Sequence, residues 1–472
     1  MQAHDRLTRA QFAALYAVAT LAAWSLGPDG PLYWDSHGYV IQAITGRAGG
    51  LMLGRPAFVL ASHGLARAWI DLGGNLRDVE PLLRTWWMLV SATGAPALAW
   101  LALRVGAPAR VAWTAGLLLA LSPVAAHTSR AVLTDGPSMA LALVALALGA
   151  EASARGSVAR MALAGAALGL AGGMREPTLA HGATLLALAM VASATAARRA
   201  AMALTAVLGC AVVFAAPVGW FLATQRGYGA VVASWVGEMG RERAGHPYGW
   251  RDLGMFVVWS LTAGPTLWVA LATRVREALQ EIRNAPRTAM VVGVSALQYG
   301  ALAFYQDIAF SPRYLLAALP GAIVLPAAWA LEGARWRRGA LAASLAFAVA
   351  AVPALRWREG ALRGALRELP LRLDGVGERA VVVSGQVCPA VVYERELRRL
   401  EGRGSDLVQV CPGWRWPARL DERLDALRRE GRPVVIDLRG AVWLGERQRS
   451  ALEEARTYAR RHVGEPGVTV WR

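Results

Sequence analysis

Long runs without an ionisable side chain recur along the first three quarters of the chain. Each run holds about 16 residues or more, which is the length a helix needs to cross the ~30 Å hydrocarbon core of a bilayer. Such runs lie near 11–27, 85–103, 111–126, 200–222, 253–273, 314–331 and 339–355. Taken in order along the chain, the apolar stretches predict helices near residues 10–27, 82–105, 110–126, 137–150, 158–174, 177–194, 200–222, 253–273, 288–305, 313–331 and 339–355. The pattern therefore predicts a polytopic α-helical membrane protein with about 11 transmembrane helices.

The hydrophobic pattern changes after about residue 355. Four short apolar clusters alternate there with charged segments of helical periodicity around 391–401, 418–430 and 445–461; the clusters lie at 379–384, 407–411, 433–438 and 467–471. Strands that alternate with helices are typical of βαβ units built on a parallel sheet. We therefore predict a transmembrane domain over residues 1–355 and a small soluble α/β domain over 356–472.

Composition supports a membrane protein and changes the meaning of the charge. The chain has 472 residues, of which 55% are apolar and only 18% are charged, and this is too apolar for a soluble protein of that size. The formal charge of +17 would suggest nucleic acid as a partner, but the basic residues are all arginine and many of them flank apolar runs. We therefore expect membrane lipid, and not nucleic acid, to be the partner of these arginines.

The distribution of arginine also predicts an orientation. If the N-terminus is cytoplasmic, the cytoplasmic loops are short and rich in arginine, as in Arg198-Arg199 and Arg337-Arg338, and the positive-inside rule favours this arrangement. The long connections 28–81 and 223–252 then lie outside, together with everything after about 356. The predicted localisation is the cell membrane, with several passes and an extracytoplasmic C-terminal domain.

Two of the three cysteines lie in the C-terminal domain. Cys388 and Cys411 each fall at or just past the end of a predicted strand, and neighbouring parallel strands bring such ends together. In an oxidising compartment the two would form a disulfide, whereas in a reducing compartment they would stay free thiols. The sequence leaves both alternatives open.

Ionisable side chains avoid the centres of the predicted helices and gather at their ends. Such groups are costly at membrane depth, so their position is informative. On the predicted outer side they are Asp35, His37, Arg55, His127, Arg130, Asp135, Arg175, Glu176, Asp307 and Arg313. Because several separate connections contribute polar groups to one face, we predict a binding or catalytic site there.

Asp35 and Asp135 are the candidate catalytic carboxylates. Asp35 lies just outside the first helix, where partial dehydration favours a role as general base towards an acceptor hydroxyl. The structural alternative for each is a helix cap, and Asp135 is followed by Gly136-Pro137 as a capping residue often is. Asp35 with His37 also offers two ligands for a divalent metal, Mg or Mn, but without a third nearby ligand this is weak evidence, and no cofactor is assigned.

Arg175 and Arg313 are candidates for binding a phosphate. Each starts a predicted helix on the outer side, and a guanidinium fork matches phosphate oxygens. The structural alternative is that each arginine anchors its helix to lipid headgroups. Tyr314 and His127 are further candidates for substrate binding at the same face.

A series of short motifs resembles one enzyme family. The motifs are Asp35 in the first external loop, Arg55-Pro56 on an interfacial helix, Ser122-Pro123, Thr134-Asp135-Gly136-Pro137, Arg175-Glu176-Pro177-Thr178 and Arg313-Tyr314-Leu315. In this order and spacing they are similar to the polyprenyl-phosphate-dependent membrane glycosyltransferases of the GT-C fold, in particular aminoarabinose and protein O-mannosyl transferases. The resemblance covers roughly residues 10–331.

The resemblance implies an activity and roles for these residues. The implied reaction moves a sugar from a polyprenyl-phosphate carrier to a hydroxyl on a lipid, glycan or protein, with inversion at the anomeric carbon. Asp35 would take the acceptor proton, and Arg55, helped by Arg175 and Arg313, would bind the phosphate and stabilise the leaving group. The soluble C-terminal domain agrees with the extracytoplasmic tail of many relatives.

The chain departs from the family pattern at two positions. The family often has paired acidic residues in the first loop, where this chain has Asp35-Ser36, and Ala57 replaces a second proline. Either Asp135 supplies the second carboxylate or the activity has been lost. Two other classes therefore stay open, a transporter or lipid flippase and a non-catalytic membrane scaffold.

Overall fold

The structure is a computed structural model, and it describes nine segments of the chain. They are residues 7–27, 34–49, 55–234, 250–304, 311–332, 334–384, 388–411, 419–439 and 446–471. Helices dominate all of them except the last hundred residues, where helices alternate with strands.

The helices of the first half pack around a common apolar core. They are α1 (Arg9–Ser25), α2 (Trp34–Thr45), α3 (Pro56–Asp71), α4 (Val79–Ala92), α5 (Gly94–Val105), α6 (Ala109–Ala120), α7 (Pro123–Ser129), α8 (Asp135–Arg155), α9 (Val158–Met174), α10 (Gly182–Met190) and α11 (Ala196–Thr224). Helix α8 is buried along most of its length, as expected of the centre of a bundle.

The second half continues with shorter and more broken helices. They are α12 (Trp250–Thr262), α13 (Pro265–Arg283), α14 (Pro286–Leu302), α15 (Leu325–Ala330) and α16 (Arg337–Val376), with a 3-10 helix at Pro312–Ala317 and a π-helical turn at Pro320–Val324 before α15.

The described residues contain four helices that are long and apolar enough to cross a membrane, or six if two bent pairs each count as one span. These helices identify a polytopic membrane protein, but the expected count of about 11 spans is not confirmed. The predicted helix at 253–273 is bent by 92° and the one at 110–126 by 57°. Pro265 and Pro123 start the second half of each pair, because proline has no backbone N–H to continue the preceding helix.

Helices α9 and α11 approach each other closely through glycine. A Cβ on Gly165 would lie 2.1 Å from the carbonyl oxygen of Ala206, and one on Gly169 would lie 2.3 Å from that of Cys210. Only glycine allows such an approach, which is the packing expected of helices in a bilayer. The opposite face of α11 exposes Leu204, Val212 and other apolar side chains, as a lipid-facing helix does.

The C-terminal region forms a four-stranded parallel sheet in the order β2-β1-β3-β4. Its elements are β1 (Val381–Ser384), α17 (Cys388–Leu400), β2 (Val408–Val410), α18 (Leu420–Arg429), β3 (Val434–Asp437), α19 (Glu446–His462) and β4 (Val468–Trp471). All four expected strands and all three expected helices are therefore present, each within a few residues of its predicted bounds.

One feature connects this sheet to the rest of the chain, and a second holds a helix of the C-terminal region to the sheet. Helix α16 contains the candidate span Arg337–Trp357 and continues without a break near residue 355 as far as residue 376. In its last turns Leu369 and Leu373 pack under the sheet. A disulfide joins Cys388 at the start of α17 to Cys411 after β2, with 5.8 Å between the two Cα atoms. Of the two alternatives that the sequence left open, the structure contains the disulfide.

Candidate functional site

Asp35 and Arg313 form an ion pair between residues 278 positions apart. Asp35 lies in the first turn of α2, and Arg313 lies in the 3-10 helix that Ser311 caps. The Arg313 Nη2 atom donates a hydrogen bond of 2.7 Å to Asp35 Oδ2, and both side chains are nearly buried. The first predicted carboxylate and one predicted phosphate ligand therefore meet.

A second ion pair joins Arg175 to Asp135. Arg175 ends α9 and Asp135 begins α8, and the Nη1 and Oδ1 atoms are 3.0 Å apart. Thr134, and not Asp135, occupies the position before the helix. Asp135 is 3% exposed, and neither carboxylate oxygen accepts a hydrogen bond from the residues that the structure describes. Such a group is paired by charge alone and keeps capacity to accept a hydrogen bond from a ligand.

Tyr314 connects the two ion pairs. The guanidinium carbon of Arg175 lies 5.0 Å from the centre of the Tyr314 ring, and that of Arg313 lies 5.2 Å from it. Cations within about 6 Å of an aromatic centroid are attracted to the ring. The negative charges of Asp35 and Asp135 are both close enough to Arg313 to stabilise its positive charge.

Arg55 joins the same group through Glu176. The two side chains form an ion pair and are nearly buried, and Glu176 directly follows Arg175. Among the described residues other than glycine, Arg55 alone has a positive φ, at 53°, and it does so immediately before Pro56 starts α3. This unusual conformation at the head of the helix is typical of a functional site.

We call these seven residues the arginine-carboxylate cluster; its members are Asp35, Arg55, Asp135, Arg175, Glu176, Arg313 and Tyr314. Its three carboxylates balance its three guanidinium groups, which is how buried charges are tolerated. These residues lie at or next to the ends of helices, as the sequence predicted. Six of the seven residues predicted for the site belong to this cluster, and the remaining one, His127, does not.

His127 instead contacts Glu359, which lies just past the end of the candidate span Arg337–Trp357 in α16. Its Nε2 atom is 2.9 Å from Glu359 Oε1, which also accepts a hydrogen bond from Arg130. Arg363 donates to the other carboxylate oxygen at 3.0 Å and to the carbonyl of Leu26 at 2.8 Å. Glu359 thereby links α16 with α7 and with the end of α1.

Burial would raise the pKa of Glu359, but the hydrogen bond from His127 and the charge of Arg130 lower it to about 2. Because this value lies below the 4.5 of a free glutamate, Glu359 stabilises the folded protein at neutral pH, and that stabilisation is lost as the pH falls from about 4.5 towards 2. We expect Glu359→Gln to lower the free energy of unfolding by about 3 kcal/mol at neutral pH. Thermal melting of the detergent-solubilised protein at several pH values measures this.

The matched control is Glu368→Gln, because Glu368 lies on the same helix in half-exposed ion pairs with Arg372 and Arg439. This control should melt like the wild type, since exposed pairs contribute little. If Glu359→Gln melts like the control, or if its melting temperature falls as steeply as that of the wild type below about pH 4.5, the assigned role of Glu359 is wrong.

The cluster does not fit a metal ion in the arrangement observed. Asp35 and Asp135 each face a guanidinium group, and the described residues contain no group of three His, Cys, Asp or Glu side chains placed to hold a metal. The Mg or Mn weakly suggested by Asp35 and His37 therefore has no ligand set here. We assign no step of a reaction to a metal.

The sequence indicated one further member of these clusters and did not indicate another. Glu176 stood among the ionisable residues of the predicted outer side and in the Arg175-Glu176-Pro177-Thr178 motif, but no role in the site was assigned to it. Glu359 lies beyond the last predicted span, and its partners His127 and Arg130 are more than 225 residues away in the chain. No local pattern indicates that pairing.

No protein-family model and no curated protein matches the chain. Among solved structures, the Archaeoglobus fulgidus oligosaccharyltransferase in complex with Zn and sulfate is similar over 84% of this chain and 62% of its own, with 14% identity and a TM-score of 0.47. The same organism's oligosaccharyltransferase AglB, in complex with an inhibitory peptide and a dolichol-phosphate, is similar over 84% of this chain and 64% of its own, with 10% identity and a TM-score of 0.47.

A third similar structure is the A. fulgidus oligosaccharyltransferase tethered to an acceptor peptide that contains the NVT sequon. It is similar over 85% of this chain and 64% of its own, with 12% identity and a TM-score of 0.44. The chain thus spans less than two thirds of the length of these proteins. At such identities and TM-scores, none of these similarities assigns an activity to this chain.

Proposed function

We propose that this protein is a membrane glycosyltransferase that moves a sugar from a polyprenyl-phosphate donor to a hydroxyl acceptor at the outer face of the cytoplasmic membrane. The observation that carries the proposal is the arrangement of Asp35, Arg313, Tyr314, Arg175 and Asp135 as one contiguous group at the ends of apolar helices. A lipid-linked sugar phosphate needs a polar site for its phosphate and an apolar surface for its lipid chain, and charged residues at the ends of apolar helices supply these two parts.

The chemistry follows from the charges of the cluster. Asp35 accepts the proton of the acceptor hydroxyl, whose oxygen attacks the anomeric carbon of the sugar. The bond from that carbon to the phosphate oxygen breaks, and the phosphate leaves with the electron pair. Arg313 and Arg175 stabilise the negative charge that develops on this oxygen, because their guanidinium groups are already fixed by Asp35, Asp135 and Tyr314.

The remaining residues have supporting roles. Arg55 is paired with Glu176, the neighbour of Arg175, and is a further candidate phosphate ligand beside Arg175 and Arg313. Asp135 keeps unused hydrogen-bond capacity and supplies the second carboxylate that the first loop lacks. His127 is paired with Glu359 and supports the loop before α8, and we do not include it among the phosphate ligands.

Sidedness and domain division belong to the same proposal. The cluster lies at helix ends that the distribution of arginine places outside the cell, and the soluble domain after residue 355 would lie on that side too. The acceptor, a lipid, a glycan or a protein, would then approach from the extracytoplasmic space. About 11 crossings would require several of the shorter helices to span the membrane together.

An assay on membranes tests the proposal. Membranes that contain the protein are incubated with a panel of polyprenyl-phosphate sugars labelled in the sugar, and the label is followed into lipid, glycan and protein fractions. We expect transfer from at least one donor with release of unlabelled polyprenyl phosphate. Absence of transfer from every hexose and pentose donor, with the protein present and folded, would overturn the assignment.

A lipid transporter is the second candidate function. It is favoured by the 92° bend between α12 and α13, because broken helices are common in transporters. The charged cluster at helix ends favours the enzyme instead. In the same assay a transporter would move labelled donor between the two leaflets of a vesicle without breaking the bond between sugar and phosphate, and a non-catalytic scaffold would do neither.

A further inference from the structure

Helix α17 of the C-terminal region lies directly against α2, the helix that carries Asp35. The ring of Tyr393 on α17 meets the ring of His37 edge to face, with 5.7 Å between the ring centres and 61° between the planes. His37 follows Asp35 by two residues in the same turn. Tyr393 also packs on the apolar cluster beneath α2, which includes Tyr39 and Val40.

An ion pair fixes α17 to the far end of the same external segment. Arg77, in the 3-10 helix Leu76–Asp78, donates hydrogen bonds of 3.0 Å to Glu394 and 2.7 Å to Glu401. Glu394 is the neighbour of Tyr393 and is nearly buried. The contact of Tyr393 with His37 is thus flanked by charge-assisted hydrogen bonds, the stronger kind in proteins.

A second arginine ties α17 to the end of α16. Arg398 is only 1% exposed, and it binds Glu394 at 3.2 Å and Asp374 at 2.9 Å. Removing one member of such a buried network leaves the others without a partner, which is strongly destabilising. Helix α17 is therefore fixed on one side to the external segment and on the other to the long helix that leaves the membrane.

The disulfide fixes the remaining end of α17. Cys388 is the first residue of the helix, and its bond to Cys411 closes a loop with a sequence separation of 23. Cross-links of this kind restrict the chain before it folds and hold the helix to the sheet afterwards. Helix α17, which carries Tyr393, is therefore fixed at several points where it packs against α2.

Tyr393 acts by packing and carries no charge. Burial raises the pKa of its hydroxyl well above the usual range, and the negative charges of Glu80 and Glu394 act in the same direction. The side chain therefore stays a neutral phenol at any pH at which the protein works. What it supplies to α2 is a fixed ring against His37.

We infer that Tyr393 is a positioning residue, which holds the first turn of α2 so that the Asp35 carboxylate stays on Arg313. The inference rests on the proposed function for its effect on catalysis, and it assigns the C-terminal domain a role as part of the site. A misplacement of a reacting group by about 1 Å can cost on the order of 100-fold in rate. Loss of the ring is therefore expected to lower kcat more than it raises KM.

The experiment compares Tyr393→Ala, Tyr393→Phe and Arg395→Ala in the full-length protein. Arg395 is the matched control, since it lies on the same helix but contacts Glu396 and Gln409. We expect Tyr393→Ala to lower kcat for sugar transfer by about 10- to 100-fold with little change in KM. Tyr393→Phe keeps the ring and should restore kcat, and the control should behave as the wild type.

Hydrogen exchange provides a readout that does not depend on activity. In Tyr393→Ala the amides of α2 should exchange faster than in the wild type, whereas those of α8 should not change. Unchanged protection of α2, or equal kcat for the alanine and phenylalanine variants, would overturn the inference. If the wild type transfers no sugar, the proposed function fails while hydrogen exchange still decides whether Tyr393 orders α2.

Discussion

Asp35→Asn is expected to lower the rate of sugar transfer by about 10²- to 10⁴-fold, because an amide of the same shape cannot accept the proton of the acceptor hydroxyl. The loss should appear in kcat for labelled donor. Membrane insertion should stay as in the wild type, but the substitution leaves Arg313 without its charged partner, so thermal stability should fall and rates are compared per amount of folded protein.

The control for this variant is Asp71→Asn. Asp71 ends α3, the helix that follows α2 along the chain, but its side chain is 54% exposed and pairs with Arg67, which is 67% exposed. This control should keep full activity, since exposed pairs contribute little. Full activity in Asp35→Asn would show that the base lies elsewhere, and Asp135→Asn would then be the next variant to assay.

Arg313→Gln is expected to lower kcat/KM by about 10²-fold or more, because Arg313 stabilises the leaving phosphate and also fixes the carboxylate of Asp35. Arg313→Lys should recover only part of the activity, since an ammonium group lacks the planar fork that binds a carboxylate and a phosphate at once. Kinetics with a labelled polyprenyl-phosphate donor measure both variants, with Arg67→Gln on an exposed pair as the control.

A charge swap separates catalysis from folding. Asp35→Arg combined with Arg313→Asp keeps an ion pair between the same two elements, so thermal stability should recover towards that of the wild type. Transfer should not recover, because the base and the phosphate ligand have exchanged places. Recovery of activity in the double variant would mean that the pair is structural and that the assignment of Asp35 and Arg313 is wrong.

Local patterns were sufficient for the strands and helices after residue 380 and for the membrane class. Strands such as Val381–Ser384 are buried on both faces and read as continuous apolar runs, so each was visible from its own residues. The membrane helices were also recognised, but their breaks were not, because an apolar run continues across Gly264-Pro265 while the backbone turns by 92°. Hydropathy reports the surroundings of a residue and not the direction of the chain.

The candidate site, too, could be predicted only in part: its residues were predicted from the sequence, but their pairing was not. Asp35, Asp135 and the arginines stood out as candidates because charge is costly near a membrane, and their role in a site stays a prediction. Their pairing was not found, since Asp35 meets Arg313 across 278 positions and a single sequence contains no record of such contacts. The pairing of Glu359 was missed for the same reason, and the contact of Tyr393 with His37 was missed because an aromatic residue in a helix rich in charged residues is ordinary on its own.

Because α16 runs without a break, its length determines how far the C-terminal domain is rotated about the helix axis. Each added or deleted residue in an α-helix turns everything beyond it by about 100° and shifts it by about 1.5 Å. Between Arg363, which binds the end of α1, and Leu369, which packs under the sheet, one such change would rotate Tyr393 away from His37. The length of this short stretch is therefore fixed to the residue.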